Sequence, residues 1–189
     1  MFSWFRKSKK LQPARALPFN AGLFDGESAP LYTALAAYWA KSDPAFVHQQ
    51  GAIIDVEALE RRYSLTLPED FRSYLLHAAP TTIWMDDIGT QWWSAPEIKS
   101  LPDECPDGSP GNTNPDIEQE RDQCLVFADY LIWCYAWAIC CSDGPNRGKI
   151  ALIGGSPDMF VADSFRDFLR LELVDAIEIH GGPSKKRSA

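Results

Sequence analysis

Three histidines, five cysteines and 26 carboxylates are the side chains from which this 189-residue chain would have to build a catalytic or metal centre. His48, His77 and His180 are far apart, and no His-x-x-x-His pair puts two imidazoles on one helical face. That pattern supplies neither a zinc site nor a histidine general base. Gly144-Pro145-Asn146-Arg147-Gly148-Lys149-Ile150 superficially looks like a phosphate-binding loop. It is one residue short, lacks the Ser or Thr after lysine, and leads into a strand instead of a helix, so a hairpin turn accounts for its glycines. Gly154-Gly155-Ser156-Pro157-Asp158 lacks the flanking glycine and the strand-to-helix setting of a nucleophile elbow, and reads as a turn. The cysteines, at 105, 124, 134, 140 and 141, are odd in number and include no Cys-x-x-Cys pair. Cys124, Cys134 and Cys140 lie in apolar runs, where a thiol behaves as a small hydrophobe, and a reducing cytoplasm is the expected compartment. The expectation is a non-enzymatic protein with no catalytic residue, no metal ligand and no cofactor.

Carboxylates cluster more tellingly. Residues 102–122 carry Asp103, Glu104, Asp107, Asp116, Glu118, Glu120 and Asp122, with Arg121 as the sole base and four prolines between them. Their spacing does not fit an EF-hand loop, so calcium is not expected. The segment reads as a long, exposed, acidic loop, and such loops in compact domains are often functional. A second patch joins Asp86 and Asp87 to Trp92 and Trp93. Adjacent strand residues point to opposite faces, so one tryptophan belongs to the core and the other is expected to anchor an interface. These acids and tryptophans form the expected partner-binding set.

Charge points the same way. Residues 1–10 hold four Lys/Arg and residues 181–189 hold three, with no acid in either. The body between them therefore carries all 26 acids against 11 of the 18 bases, a net charge of −15. An acidic body disfavours DNA or RNA and speeds association with a basic partner. No apolar run approaches the length of a membrane span, and the start lacks the apolar core and cleavage site of a secretory signal, so stable membrane insertion is not expected. Phe2, Trp4 and Phe5 beside four bases would suit an anionic membrane surface, but a frayed terminus is the simpler reading.

Hydrophobic spacing predicts the elements that would hold these residues. Residues 1–27 form an extension with a basic start, in which Leu17, Phe19, Leu23 and Phe24 can lie against the body; 28–178 form one domain; 179–189 form a basic disordered tail. A helix is expected from about Pro30 to Lys41, capped by Ser28, with a short helical segment from Asp43 to Gln50. A helix capped by Asp55 follows, with Val56, Leu59 and Tyr63 as its buried stripe. Thr66-Leu67-Pro68-Glu69 then matches a reciprocal capping box opening a helix that buries Phe71, Tyr74 and Leu75. From Thr81 the period becomes that of strands: 81–85, a turn at 86–89, and 90–93. A short helix is expected from Ser94, then a central strand over Ile132–Cys141 with both faces apolar. Lys149–Ile153 returns antiparallel to it, and a final helix near Ser164 buries Phe165, Phe168 and Leu169. The fold class is α+β, a single domain with a mainly antiparallel sheet flanked by N-terminal helices and a C-terminal helix.

The order of these pieces resembles the SUKH superfamily, whose α+β domains are related to a yeast regulator of cell-wall synthesis and serve widely in bacteria as immunity proteins against secreted toxins. Ile54 to Phe71 resembles the family's helix, Leu-Pro-x-x-Phe/Tyr turn and second helix. Ser94-Ala95-Pro96-Glu97-Ile98 resembles its short helix after the first hairpin, and Lys149 to Leu171 its last strand pair and Ser-Phe-x-x-Phe-Leu helix. The likeness spans roughly residues 30–175. Ala78-Ala79-Pro80 stands where the family has Asn-Gly-Gly, and the 102–122 segment is long. The resemblance implies a cytoplasmic immunity protein that binds a toxin domain, plausibly a basic nuclease, and blocks it; the alternative is an intracellular scaffold or regulator of the same fold with no toxin partner.

Overall fold

The computed structural model describes residues 15–182. The basic residues of both tails lie outside them. Helices α1 (Ser28–Ser42), α2 (Ile53–Tyr63) and α3 (Glu69–His77) come first. Strands β1 (Trp84–Met85), β2 (Thr90–Trp92) and β3 (Lys99–Ser100) follow. The short helices α4 (Leu101–Glu104) and α5 (Pro115–Gln119) precede β4 (Cys124–Tyr130), β5 (Tyr135–Cys140), β6 (Ile150–Ile153) and β7 (Met159–Ala162). Helix α6 (Phe165–Glu172) packs back on the sheet. The strand order is β1-β2-β4-β5-β6-β7, with β3 pairing β4, and every pairing is antiparallel. The chain is thus an α+β domain built on an antiparallel sheet.

The two faces of that sheet carry different side chains. Trp92, Ala128, Trp137 and Leu152 are cross-strand partners on one face; Gln91, Asp129, Ala136 and Ile153 are partners on the other. A bulge between Val126 and Ala128 adds Phe127 to the first set. There Phe127 lies 5.4 Å from Phe71 of α3 and 5.3 Å from Phe165 of α6, and Trp137 lies 5.3 Å from Phe168 (ring centroids). Trp39 of α1 reaches Trp92 at 5.0 Å. Helices α1, α3 and α6 therefore cover this face through interlocked aromatic rings.

The opposite face bears Val126, Ala136, Ala138 and Ala151, all buried. Residues 101–123 run beside it as a strap, and the expected exposed loop is instead folded. Leu101, Cys105 and Ile117 are buried beneath it. Ser100 caps α4 by accepting from the Asp103 amide, and Asn114 caps α5 by accepting from the Asp116 amide. At its far end Asn112 and Asn114 bond the backbone of Asp158, and Gln123 takes the Cys141 amide at 2.8 Å. A Cβ at Gly111 would strike the Gly155 carbonyl, so only glycine allows the strap to lie this close.

Several local expectations give way to longer-range contacts. The capping box at 66–69 does not form: α3 has no side-chain cap, the Leu67 amide goes to Glu60 Oε1, and the Thr66 and Leu67 carbonyls accept from Arg147 across the domain. Ser28 does not cap α1; its hydroxyl donates to Asp70 and accepts from Arg166. Helix α2 begins at Ile53, ahead of Asp55. Residues 43–50 form no helix, because Asp43 turns the chain by accepting from the Ala45 amide while its other oxygen holds the Trp84 indole. The 81–85 strand shrinks to β1, and Ser94–Glu97 makes one turn only. The packed body is also wider than residues 28–178: Phe24 and Ile179 are buried, and the Arg15 amide donates to Val174.

Phe71 is fully buried among three rings, so Phe71→Ala is expected to cost about 3–5 kcal/mol in urea unfolding. A cost below about 1 kcal/mol would show that α3 is not anchored through this ring.

Candidate functional site

A groove of about 510 Å³ opens on the strap-bearing face, beside the point where the strap begins. Trp93 and Trp133 form its aromatic walls, Ile83, Pro96 and Ile132 its apolar rim, and Glu104 and Asp129 its polar frame. Each frame carboxylate is already engaged. Asp129, buried, accepts the Trp93 indole at 2.8 Å with one oxygen and the Trp133 amide at 2.8 Å with the other. Glu104 accepts the Trp133 indole at 2.8 Å and Lys99 at 2.7 Å, and Lys99 sits 6.0 Å from the centre of the Trp93 ring. The bond to Glu104 pushes the Lys99 pKa above its ordinary value, keeping the ammonium charged. With each oxygen of Asp129 and Glu104 already accepting one hydrogen bond, the groove offers a surface for an apolar, aromatic or cationic side chain.

The rim is strained. Leu131, Ile132 and Trp133 all have positive φ, at 46°, 59° and 68°, where bulky and β-branched residues are rarely found. Sequence periodicity places Ile132 and Trp133 at the start of the central strand; with Leu131 they form the β4–β5 turn, and β5 starts at Tyr135. Three bonds hold the turn: the Leu131 amide to Gly89, the Trp133 amide to Asp129, and the Cys134 amide to Tyr130. As a result Ile132 stands 79% exposed, near half-exposed Leu131. Such strain costs about 1–3 kcal/mol per residue and collects at functional sites.

The residues expected to bind a partner divide into two groups. Asp103, Asp107, Asp116, Glu118 and Asp122 are exposed on the strap, and Asp87 is exposed and pairs with Arg15 at 2.8 Å. The others are used internally. Glu120 accepts Ser142 at 2.6 Å and Asn146 at 3.0 Å, fixing the turn after β5. Glu104 frames the groove. Trp92 is fully buried and Trp93 is 6% exposed, so neither indole projects as an interface anchor, and Trp93 serves as a groove wall. Trp133, Asp129, Ile83 and Ile132 were missed from sequence; the available signal was the apolar triplet Leu131-Ile132-Trp133 between two strands.

Asp86 is the core of the β1–β2 turn, not a surface acid. It accepts the Ile88 and Thr90 amides and the Trp92 indole at 3.1, 3.0 and 2.9 Å. Glu172 of α6, buried, faces the same cluster with its Oε1 unpartnered among the described residues. Burial, and then the Asp86 carboxylate, hold Glu172 well above its ordinary value, while burial also raises Asp86 against the bonds it accepts. Of the two carboxyls, Glu172 is the one whose surroundings more strongly favour the protonated form.

A chain of hydrogen bonds joins Asp175, His180 and Tyr135, at 3.1 and 2.6 Å. Burial, and then the neighbouring Tyr130, raise the Tyr135 pKa, which is the reverse of what a nucleophilic phenolate requires. Among the described residues no three His, Cys, Asp or Glu side chains converge as metal ligands. No helix among those residues is long and apolar enough to cross a membrane. No family model matches the sequence, and no curated protein matches it.

Two predictions follow from the groove and the carboxyl cluster. Ile132→Asn places a residue tolerant of positive φ at an exposed position, so it should raise unfolding stability by about 1 kcal/mol; a loss would show that the isoleucine packs on the body. A carboxyl raised on folding adds stability below its unfolded pKa and loses it as pH rises through the folded value. Glu172→Gln removes that liability, so the variant should gain on the wild type progressively as pH rises above about 4.5. Denaturation midpoints across that range check this, and a difference constant with pH would contradict it.

Proposed function

We propose that this chain is a non-enzymatic protein-binding domain of the SUKH type, a cytoplasmic immunity protein that neutralises a basic toxin domain by direct binding. The observation that carries the reading is the turn at 131–133. A chain gains nothing in folding by forcing three bulky residues into positive φ and exposing an isoleucine, whereas a partner that covers Ile132 removes that surface from water. Ile83, Leu131 and Ile132 supply the apolar centre of the contact, and Asp103 and Asp107 supply nearby charge for a basic partner. The remaining strap carboxylates, Asp116, Glu118 and Asp122, extend the acidic field that steers encounter.

The test is calorimetric titration with the protein encoded by the adjacent gene, at low and high salt. The expected result is tight binding that weakens as salt rises, with protection of cells when the two are co-expressed. Ile132→Asp should weaken binding by about tenfold or more. The triple substitution Asp116→Asn, Glu118→Gln and Asp122→Asn should slow association while leaving the melting temperature unchanged, whereas Glu120→Gln should lower the melting temperature. A neighbour that binds nothing, together with no protection on co-expression, would sink the immunity reading.

A further inference from the structure

Two cysteines that the binding reading leaves unused meet at the end of the β4–β5 hairpin farthest from its turn. Cys124 and Cys140 are register partners, with sulfur atoms 3.0 Å apart. The Cys141 amide donates to the Gln123 carbonyl at 2.8 Å. That bond makes Cys124 and Cys140 a pair that does not exchange its own backbone bonds, the closely spaced type, with Cα atoms about 4.5 Å apart. A disulfide needs Cα atoms about 4.4–6.8 Å apart and sulfurs at about 2.0 Å. The backbone separation therefore already fits, and the sulfurs need to close by only about 1 Å. The other thiols are differently placed: Cys141 points its sulfur at the Ile139 carbonyl, Cys134 is exposed at the hairpin turn, and Cys105 lies under the strap.

We propose that Cys124 and Cys140 are a disulfide-forming pair whose reaction partner is a thiol–disulfide oxidant such as oxidised glutathione. One protein thiolate attacks the oxidant's sulfur–sulfur bond and releases one glutathione thiolate, leaving a mixed disulfide. The second protein thiolate attacks the protein-side sulfur, forming the Cys124–Cys140 bond and releasing the second glutathione. Two protein thiols are oxidised, one glutathione disulfide is reduced to two thiols, and the protons lost by the cysteines end on the glutathione. Both sulfurs are buried in the folded domain, and the Cys140 contact and burial push the Cys124 thiol up, so thiolate is scarce there. The exchange therefore runs while the hairpin is open, during folding, and the finished bond is shielded from reductant. It closes a loop that contains the strained turn at 131–133. The inference does not rest on toxin binding; it does require that the chain meet an oxidant before the hairpin closes, against the reducing poise of a cytoplasm.

The test unfolds the full chain in reductant, refolds it in oxidised and reduced glutathione, quenches free thiols by alkylation and maps peptides without reduction. The expected product joins Cys124 to Cys140 and is lighter than the unalkylated reduced form by two hydrogen atoms. Its melting temperature should lie several degrees above the same chain refolded in reductant. That shift should persist in Cys134→Ser and vanish in Cys140→Ala; should the alanine variant fail to fold, mapping of the unaltered chain decides the matter. Complete alkylation of both cysteines after oxidative refolding, or a main product joining either to another cysteine, would overturn the proposal.

Discussion

The central strands are apolar on both faces, and neither face can be left in water. From Ala136 to Cys140 every residue of β5 is buried, as is every residue of β6. An antiparallel sheet normally needs one cover; this one needs two, and the rest of the chain is distributed to provide them. The covers differ because the faces differ. Trp92, Phe127 and Trp137 present broad rings, which three helices meet with rings of their own. Ala136, Ala138 and Ala151 present little volume, so a thin strap with two short helices can lie close to that side.

That division explains why so much negative charge lies in one segment. The strap must bury Leu101, Cys105 and Ile117 on its inner side and keep its outer side in solvent. Carboxylates on the outer side do the second task, and two of them are drawn inward for structure, Glu104 to Lys99 and Trp133, Glu120 to Ser142 and Asn146. A run of acids on paper is thus two populations, separated by burial: Glu104 and Glu120 are turned partly inward, whereas Asp103 and Glu118 stay exposed even where Tyr63 and Arg121 reach them.

The sequence was legible where the determinants are periodic and local. The faces of α1, α3 and α6, the antiparallel return after residue 148 and the two-sided burial of β5 follow from the spacing of apolar residues. It was misread where a distant group competes for a local one. Thr66 and Glu69 have the right types for a capping box, but Arg147 and Glu60 take the backbone groups of that turn. The strap carried cap-and-proline signals at Ser100-Leu101-Pro102 and Asn114-Pro115, the same logic that pointed to Ser94, yet acidity and four prolines made it read as loop. The groove was hidden for another reason: an apolar triplet fits a strand by composition, and only the tertiary bonds to Gly89 and Asp129 bend it into a left-handed turn.

The strap leaves β3 and returns into β4, which are paired neighbours. Its ends are therefore pinned about one strand spacing apart, whatever lies between them. Lengthening such a connection is thermodynamically mild, since doubling it costs only about 0.6 kcal/mol in closure entropy. Its anchors are spread along it: Leu101 and Cys105 where it begins, Gly111, Asn112 and Asn114 against residues 154–158 farther on, and Ile117, Glu120 and Gln123 where it ends. Only the outward-facing positions between those anchors, such as Asp107, Thr113 and Asp116, are free to change surface chemistry while the frame and its two covers stay intact.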